Sequence, residues 1–320
     1  MKAAVYYENG PPSVLRYADM PDPVVGPTDV LIRVESVSIE GGDILSRQLV
    51  PPPRLPHIVG YQAAGEVVAT GTNVKGIRVG QKVAAFNWSG SHAALFAVPQ
   101  HFAYAVPDGL GIKIASTIPV TFGTADDTLF ENAHLQDGET VLIQGGAGGV
   151  GLAAIQLAKA AGAMVIATAA SDERLDRLRC FGVDHGINYK RQDPAAEALR
   201  LTDGRGVDLL VDLVGGLTAN ALLTAIRYRG RISIVGAASG VMASFGSLEI
   251  TSRGLTLLGV SFGREMHLPR VHAMIGRHLA DAAAGRVSMP IEHVFPLSAA
   301  AEAHDHVQHG HPFGRVVMTP

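Results

Sequence analysis

The chain has 320 residues, 47% of them hydrophobic and 17% charged, with a formal net charge of -3 at pH 7. That balance describes a globular chain long enough for two domains, and it excludes a disordered polymer or an electrostatic binder of nucleic acid or anionic membrane. A single cysteine, Cys180, excludes an intrachain disulfide and makes the cytoplasm the expected setting. No basic-then-apolar leader is expected at MKAAVYYENG, and no apolar run reaches the ~18 residues of a membrane helix.

In chain order, the first ~120 residues predict a β-rich domain. Short strands are expected at Ala3–Tyr7, Asp29–Val37, Ala63–Thr70, Gly80–Ala85 and Ala93–Val98. Turns such as Pro21-Asp22-Pro23 and Pro51-Pro52-Pro53 separate them, the pattern of a small barrel or sandwich. From Gly138 the pattern becomes alternating strand and helix: strand Val141–Ile143, helix Leu152–Ala161 stopped by Gly162, strand Met164–Thr168. Val207–Leu213 and Arg231–Val235 are further buried strands, with a helix over Leu217–Ile226 between them. This alternation predicts an α/β fold with a doubly wound parallel sheet. Helices near Val271–Ala284 and Ala299–Gln308 and a strand at Gly314–Met318 close the chain. Composition leaves open whether this tail returns to the first domain.

Gly146, Gly148 and Gly151 form G-x-G-x-x-G between a strand and a helix, the context that makes the motif a dinucleotide fingerprint. The first glycine is expected to allow the tight turn, the second to admit a pyrophosphate, and the third to let helix and strand approach. The helix N-terminus then faces the phosphates. At the end of the second strand an NAD-binding unit carries an acid for the ribose 2′-hydroxyl. Thr168-Ala169-Ala170-Ser171 has none. Ser171 is a helix N-cap and Arg174 lies one turn on, so both can meet a 2′-phosphate, and NADPH is the expected cofactor. Asp172 opposes that reading if it turns inward, and Tyr189 suits either the adenine side or the core.

At these residues the chain resembles the medium-chain dehydrogenase/reductases, in particular the zinc-free quinone oxidoreductase branch that includes zeta-crystallin. The segments that carry the resemblance are Gly60-Tyr61-Gln62-Ala63-Ala64-Gly65, the glycine loop through Ser171, Asp184-His185-Gly186-Ile187-Asn188-Tyr189, and Gly314-Arg315-Val316-Val317. The resemblance implies a GroES-like domain over 1–122, completed by 264–320, around a Rossmann NADPH-binding domain over 123–263. It implies NADPH in the cleft, hydride transfer to a quinone or α,β-unsaturated carbonyl, and a homodimer. Gly146, Ala147, Gly148, Gly149 and Val150 would then meet the pyrophosphate. Ser171, Arg174 and Tyr189 would hold the 2′-phosphate end. Thr124, Gly236, Ser261 and Phe262 would line the ribose and nicotinamide, and Arg315 of the closing segment joins this set.

Zinc relatives place Cys, His and a third ligand where this chain has Glu40, Tyr61 and a position near Val120. Catalytic zinc takes three protein ligands, so no metal is expected. Glu40 and Asp126 also depart from the resembled branch, leaving the acceptor and the proton donor unassigned. Glu40, Asp43, Tyr61 and Asp126 are candidates for that donor only by position. Phe86, Trp88 and His92 fall on an expected substrate-facing loop, although Phe86 also suits the core. His304 and His306 are two apart on a predicted helix and should not chelate together, and His309 and His311 flank Gly310. Asp126-Asp127 is expected to open a helix, and Cys180 to be a packing residue. Two rivals remain: an enoyl-thioester reductase, and an NADPH-binding protein without significant turnover.

Overall fold

Alternation of strand and helix after Thr140 resolves into six parallel strands. They are β1 (Thr140–Gln144), β2 (Met164–Ala169), β3 (His185–Asn188), β4 (Val207–Asp212), β5 (Ile226–Ile234) and β6 (Thr256–Gly259). The computed structural model describes residues 1–320, divided into two compact units, Met1–Gly123 with Gly263–Pro320 and Thr124–Phe262. In the second unit the strand order is β3-β2-β1-β4-β5-β6, so the direction of winding reverses between β1 and β4. Every residue of β1 and β4 is buried, as strands covered on both faces require. On one face Leu142, Ile166, Ile187, Leu210 and Ile232 pack with Ala198 and Leu222 of the helices Pro194–Leu201 and Gly216–Leu222.

The helix expected over Leu217–Ile226 ends at Leu222, and a 3₁₀ turn over Leu223–Ala225 leads into β5. Ile226 is a buried strand residue paired with Val207. The expected strand Arg231–Val235 is therefore the second half of a longer one. A register shift opposite Val207 and Leu209, with Arg229 at φ 59, breaks its apolar pattern.

In the first unit a seven-stranded sheet is built around Asp29–Ser38, which pairs with Gln62–Thr70, Leu95–Pro99 and the last strand, Arg315–Thr319. Asp29–Ser38 alternates buried and accessible residues before ending in a fully buried run that includes Ser36 and Ser38. A three-stranded sheet joins Arg16–Asp19, Lys2–Tyr6 and His57–Ile58. The helix Gly41–Leu49 is absent from the sequence expectations, because two glycines open it and conceal its amphipathic pattern. No helix is long and apolar enough to cross a membrane.

Candidate functional site

The loop after β1 divides its labour among the glycines differently from the motif reading. Gly145, which precedes the motif, takes the turn at φ 83, and its N–H donates to Thr168 Oγ1 at 3.3 Å. Gly146 instead makes packing room: a Cβ there would lie 3.0 Å from Ala167 Cβ and 3.2 Å from Ile155 Cδ1. At Gly151 a Cβ would lie 2.4 Å from the Gly145 carbonyl oxygen and 2.8 Å from Gly146 Cα. Both obstacles are backbone, so this glycine permits the close approach of helix Gly149–Ala160 to the loop. Gly148 is different. It is exposed, and the nearest atom to a Cβ is the Gly145 oxygen at 3.7 Å. The loop therefore has an open concave side at Gly148, under the free N–H groups of a helix N-terminus.

The remaining expected residues of this unit largely follow from the sheet topology. In an open parallel sheet ligands bind beyond the carboxyl ends of the strands, where the winding reverses. Ala147, Gly148, Gly149 and Val150 follow β1, Ser171 and Arg174 follow β2, and Tyr189 follows β3. Gly236 follows β5, and Ser261 and Phe262 follow β6. All lie at one edge of the sheet. Ser171 caps the helix Asp172–Arg179 through the Arg174 N–H at 3.3 Å. Tyr189 is half exposed, so it is not a core aromatic. Thr124 opens the unit, and its carbonyl accepts from Thr128 Oγ1 at 2.6 Å.

Asp172 does not turn toward the Ser171 side chain. Its carboxylate accepts from Asn188 Nδ2 at 2.7 Å and from Arg191 Nη1 at 2.5 Å. The Asn188 amide first, then the charge of Arg191, hold its pKa below the ordinary carboxylate value. The carboxylate that follows Ser171 thus has its own cation. Sequence reasoning missed Arg191, although Lys190-Arg191 directly follows Tyr189. It also missed Gln144 and Asp212, register partners at the ends of β1 and β4. Each keeps one buried acceptor oxygen without a partner, and burial raises the Asp212 pKa.

The first unit holds a buried ionic cluster at the positions where zinc relatives carry ligands. Glu40 accepts from Ser38 Oγ at 2.9 Å and from Gln62 Nε2 at 2.6 Å, and it pairs with Arg315. Arg315 also donates to Ser38 Oγ at 3.0 Å and to the Ile39 carbonyl. Arg315, expected among the cofactor contacts, has its guanidinium on a buried carboxylate within this unit. Burial raises the Glu40 pKa, and the charge of Arg315 opposes it. Asp43 accepts from the Glu40 N–H at 2.8 Å, and burial raises it well above the ordinary range. The donor set does not fit zinc. The Glu40 carboxylate is committed to three partners, Tyr61 replaces the histidine, and Val120 offers only a backbone N–H, which donates to Gln62 at 2.8 Å.

Other expectations resolve as follows. Phe86 is core, while Trp88 is 60% exposed. Asp126 ends the helix Ile118–Asp126 and does not open one, because the chain continues directly into a wider turn over Asp127–Asn132. Cys180 is an exposed C-cap residue and not a packing residue. The tail histidines do diverge, but His304 has a distant partner that spacing cannot reveal. Its Nε2 meets His92 Nε2 at 2.9 Å, both rings are fully buried, and burial pushes His92 down to about 3. His306 faces Glu292 and His309 faces Asp305, and no group of three or more metal-ligating side chains forms.

Two family descriptions match the chain: the zinc-binding dehydrogenase family over residues 149–277 and the alcohol dehydrogenase GroES-like domain over residues 26–118. A quinone oxidoreductase of Pseudomonas aeruginosa is 31% identical over 315 residues, covering 97% of this chain and 97% of the relative. The crystal structure of Pseudomonas syringae pv. Tomato DC3000 quinone oxidoreductase superposes with a TM-score of 0.95 at 26% identity, covering 100% of this chain and 99% of that one. The structure of mycobacterial Rv1454c complexed with NADPH superposes with a TM-score of 0.94 at 29% identity, covering 100% of both chains.

Proposed function

Because the chain belongs to the zinc-free quinone oxidoreductase branch of the medium-chain dehydrogenase/reductases, we propose that it is an NADPH-dependent reductase of quinones or α,β-unsaturated carbonyls. The observation that carries this reading is the open side of the loop at Gly148, at the same end of the parallel sheet as Ser171, Arg174, Tyr189 and Arg191. The N–H groups at the start of helix Gly149–Ala160 would receive a pyrophosphate, and the open side of Gly148 supports this. Ser171 and Arg174 supply donors for a 2′-phosphate, and the Asp172–Arg191 pair removes the repulsion that a free carboxylate would exert there. The NADPH-bound mycobacterial relative supports the same cofactor.

Bound NADPH would supply the hydride; the protein supplies orientation and electrostatics. A quinone or conjugated carbonyl suits a site without a metal, because the electron pair displaced by hydride is delocalised onto oxygen without a strong Lewis acid. The test is NADPH consumption by the purified protein with quinones and enones, with NADH in parallel. Turnover with NADPH and a conjugated acceptor supports the reading. Tight NADPH binding without turnover on any quinone or enone counts against it.

A further inference from the structure

Asn188, the last residue of β3, stands in register with Ala169, the last residue of β2. It therefore lies beside the strand end at which an NAD-binding unit carries its acid. Asn188 is only 4% exposed, and each of its polar groups has a partner. Its N–H donates to Gln192 Oε1 at 3.1 Å, and its carbonyl accepts from the N–H groups of Arg191 and Gln192 at 3.0 and 2.9 Å. The side-chain oxygen accepts from the Lys190 N–H at 3.1 Å. A backbone N–H can only donate, so the amide has one orientation: oxygen toward Lys190, nitrogen toward Asp172. Nδ2 donates to Asp172 Oδ1 at 2.7 Å.

Asp172 is the first acid after β2, and it opens the helix Asp172–Arg179. Set free, its carboxylate would stand in for the acid that holds a ribose 2′-hydroxyl, and it would repel a 2′-phosphate. Two groups restrain it. Arg191 Nη1 donates to Oδ2 at 2.5 Å, but that side chain is 72% exposed. An exposed pair supplies opposite charge while fixing direction weakly, because mobile side chains must be ordered to form it. A buried amide already tied on its other side has lost that freedom. We propose that Asn188 is a positioning residue for cofactor choice: by directing the Asp172 carboxylate away from the Ser171 and Arg174 donors, it selects NADPH over NADH. The proposal rests on the NADPH reading and names a determinant of it outside the expected phosphate contacts. Arg191 contributes the charge and Asn188 the direction. The chain thus carries an acid near the end of β2 but keeps it from acting as one.

The experiment titrates NADPH and NADH by calorimetry into wild-type protein, Asn188→Asp, Asn188→Ala, Asp172→Asn and Asn188→Ala/Asp172→Asn, with far-UV circular dichroism to check the fold. Asn188→Asp keeps the oxygen that Lys190 uses and exchanges only the donor facing Asp172 for an acceptor. In Asn188→Asp and Asn188→Ala the ratio of the NADH Kd to the NADPH Kd is expected to fall about tenfold, through weaker NADPH and tighter NADH. In the double variant, which has no carboxylate to direct, it is expected to return to within about threefold of wild type. Asp172→Asn is an exposed change that tests the proposal even where the Asn188 variants fail to fold. Its ratio should stay within about threefold of wild type, because the carboxylate is already turned aside. A rise of about tenfold in that variant overturns the proposal, since the carboxylate would then already act on the phosphate. Equal weakening of both cofactors in a folded Asn188 variant, the mark of a merely structural role, also overturns it. So does an unchanged ratio, or a full-sized shift that persists in the double variant. A wild type that prefers NADH, or binds neither cofactor, overturns the NADPH reading and the proposal together. A wild type that prefers NADPH with a ratio insensitive to Asn188 overturns the proposal alone.

Discussion

Gly148→Ala and Gly151→Ala place the same methyl group in two different surroundings: one on the open side of the loop, one inside the packing. Gly148 has φ -80 and ψ 169, which alanine adopts freely, and its Cβ would meet nothing closer than 3.7 Å. The variant should therefore melt within about 0.5 kcal/mol of the wild type. The methyl group would nevertheless fill the open side of the loop. Displacing the pyrophosphate weakens one or two charge-assisted hydrogen bonds, each of about 1.5–3 kcal/mol, and raises the NADPH Kd by tenfold to more than a hundredfold. Gly151→Ala has the opposite signature. Its Cβ would stand 2.4 Å from the Gly145 oxygen, so the helix must retreat by about 1 Å, at about 1–3 kcal/mol of overpacking. Thermal unfolding by circular dichroism without cofactor, together with NADPH titration calorimetry, separates the two. A Gly148→Ala protein that binds NADPH within about threefold of wild type would refute the cradle reasoning, since its premise is the loss of at least one such bond.

Further expectations test the electrostatics. Arg191→Ala frees the Asp172 carboxylate and should raise the NADPH Kd about tenfold with little effect on NADH, and Asp172→Asn in the same protein should recover part of that loss. Equal effects on both cofactors, measured by fluorescence titration, would contradict it. Glu40→Gln leaves Arg315 buried without its counter-charge and should cost about 3–5 kcal/mol in urea unfolding. The double variant Glu40→Gln/Arg315→Gln should cost less than the sum of the single variants. The His92–His304 pair predicts acid lability. Both folded-state pKa values are depressed, so the stability is complete above the unfolded histidine value of about 6.5 and is lost as pH falls below it. For His92 the loss continues toward about 3. Each histidine contributes up to about 1.4 kcal/mol per pH unit in that window, so the stability of His304→Gln should fall less steeply with acid than that of wild type. Parallel slopes would refute the pair's role.

The second unit was legible because its signals are local. A strand, a glycine loop and a helix follow one another within Thr140–Ala160, and each has its own periodicity. The missing acid at the end of β2 was legible for the same reason. What escaped has long-range causes. The His92–His304 contact joins residues 212 apart, and the Arg315–Ile39 hydrogen bond residues 276 apart, so no window of sequence contains either. Asp172 could be named as a difficulty but not resolved, because its partners Asn188 and Arg191 arrive on another strand and loop. The turn at Gly145 was missed for a narrower reason. The motif counts from Gly146, whereas the positive φ falls one residue earlier. The helix Gly41–Leu49 was hidden by glycines whose purpose, at Gly42, is the space taken by Tyr61.

The central claim is that this chain reduces conjugated carbonyls with NADPH. Its most direct test is the initial rate of cofactor oxidation by purified protein, with 1,4-naphthoquinone and a simple enone as acceptors and NADPH and NADH compared at equal concentration. The account predicts turnover of at least one acceptor, with kcat/KM for NADPH at least about tenfold above that for NADH, the discrimination expected of one charge-assisted 2′-phosphate contact. Preference for NADH, or tight NADPH binding with no oxidation by either acceptor, would contradict it.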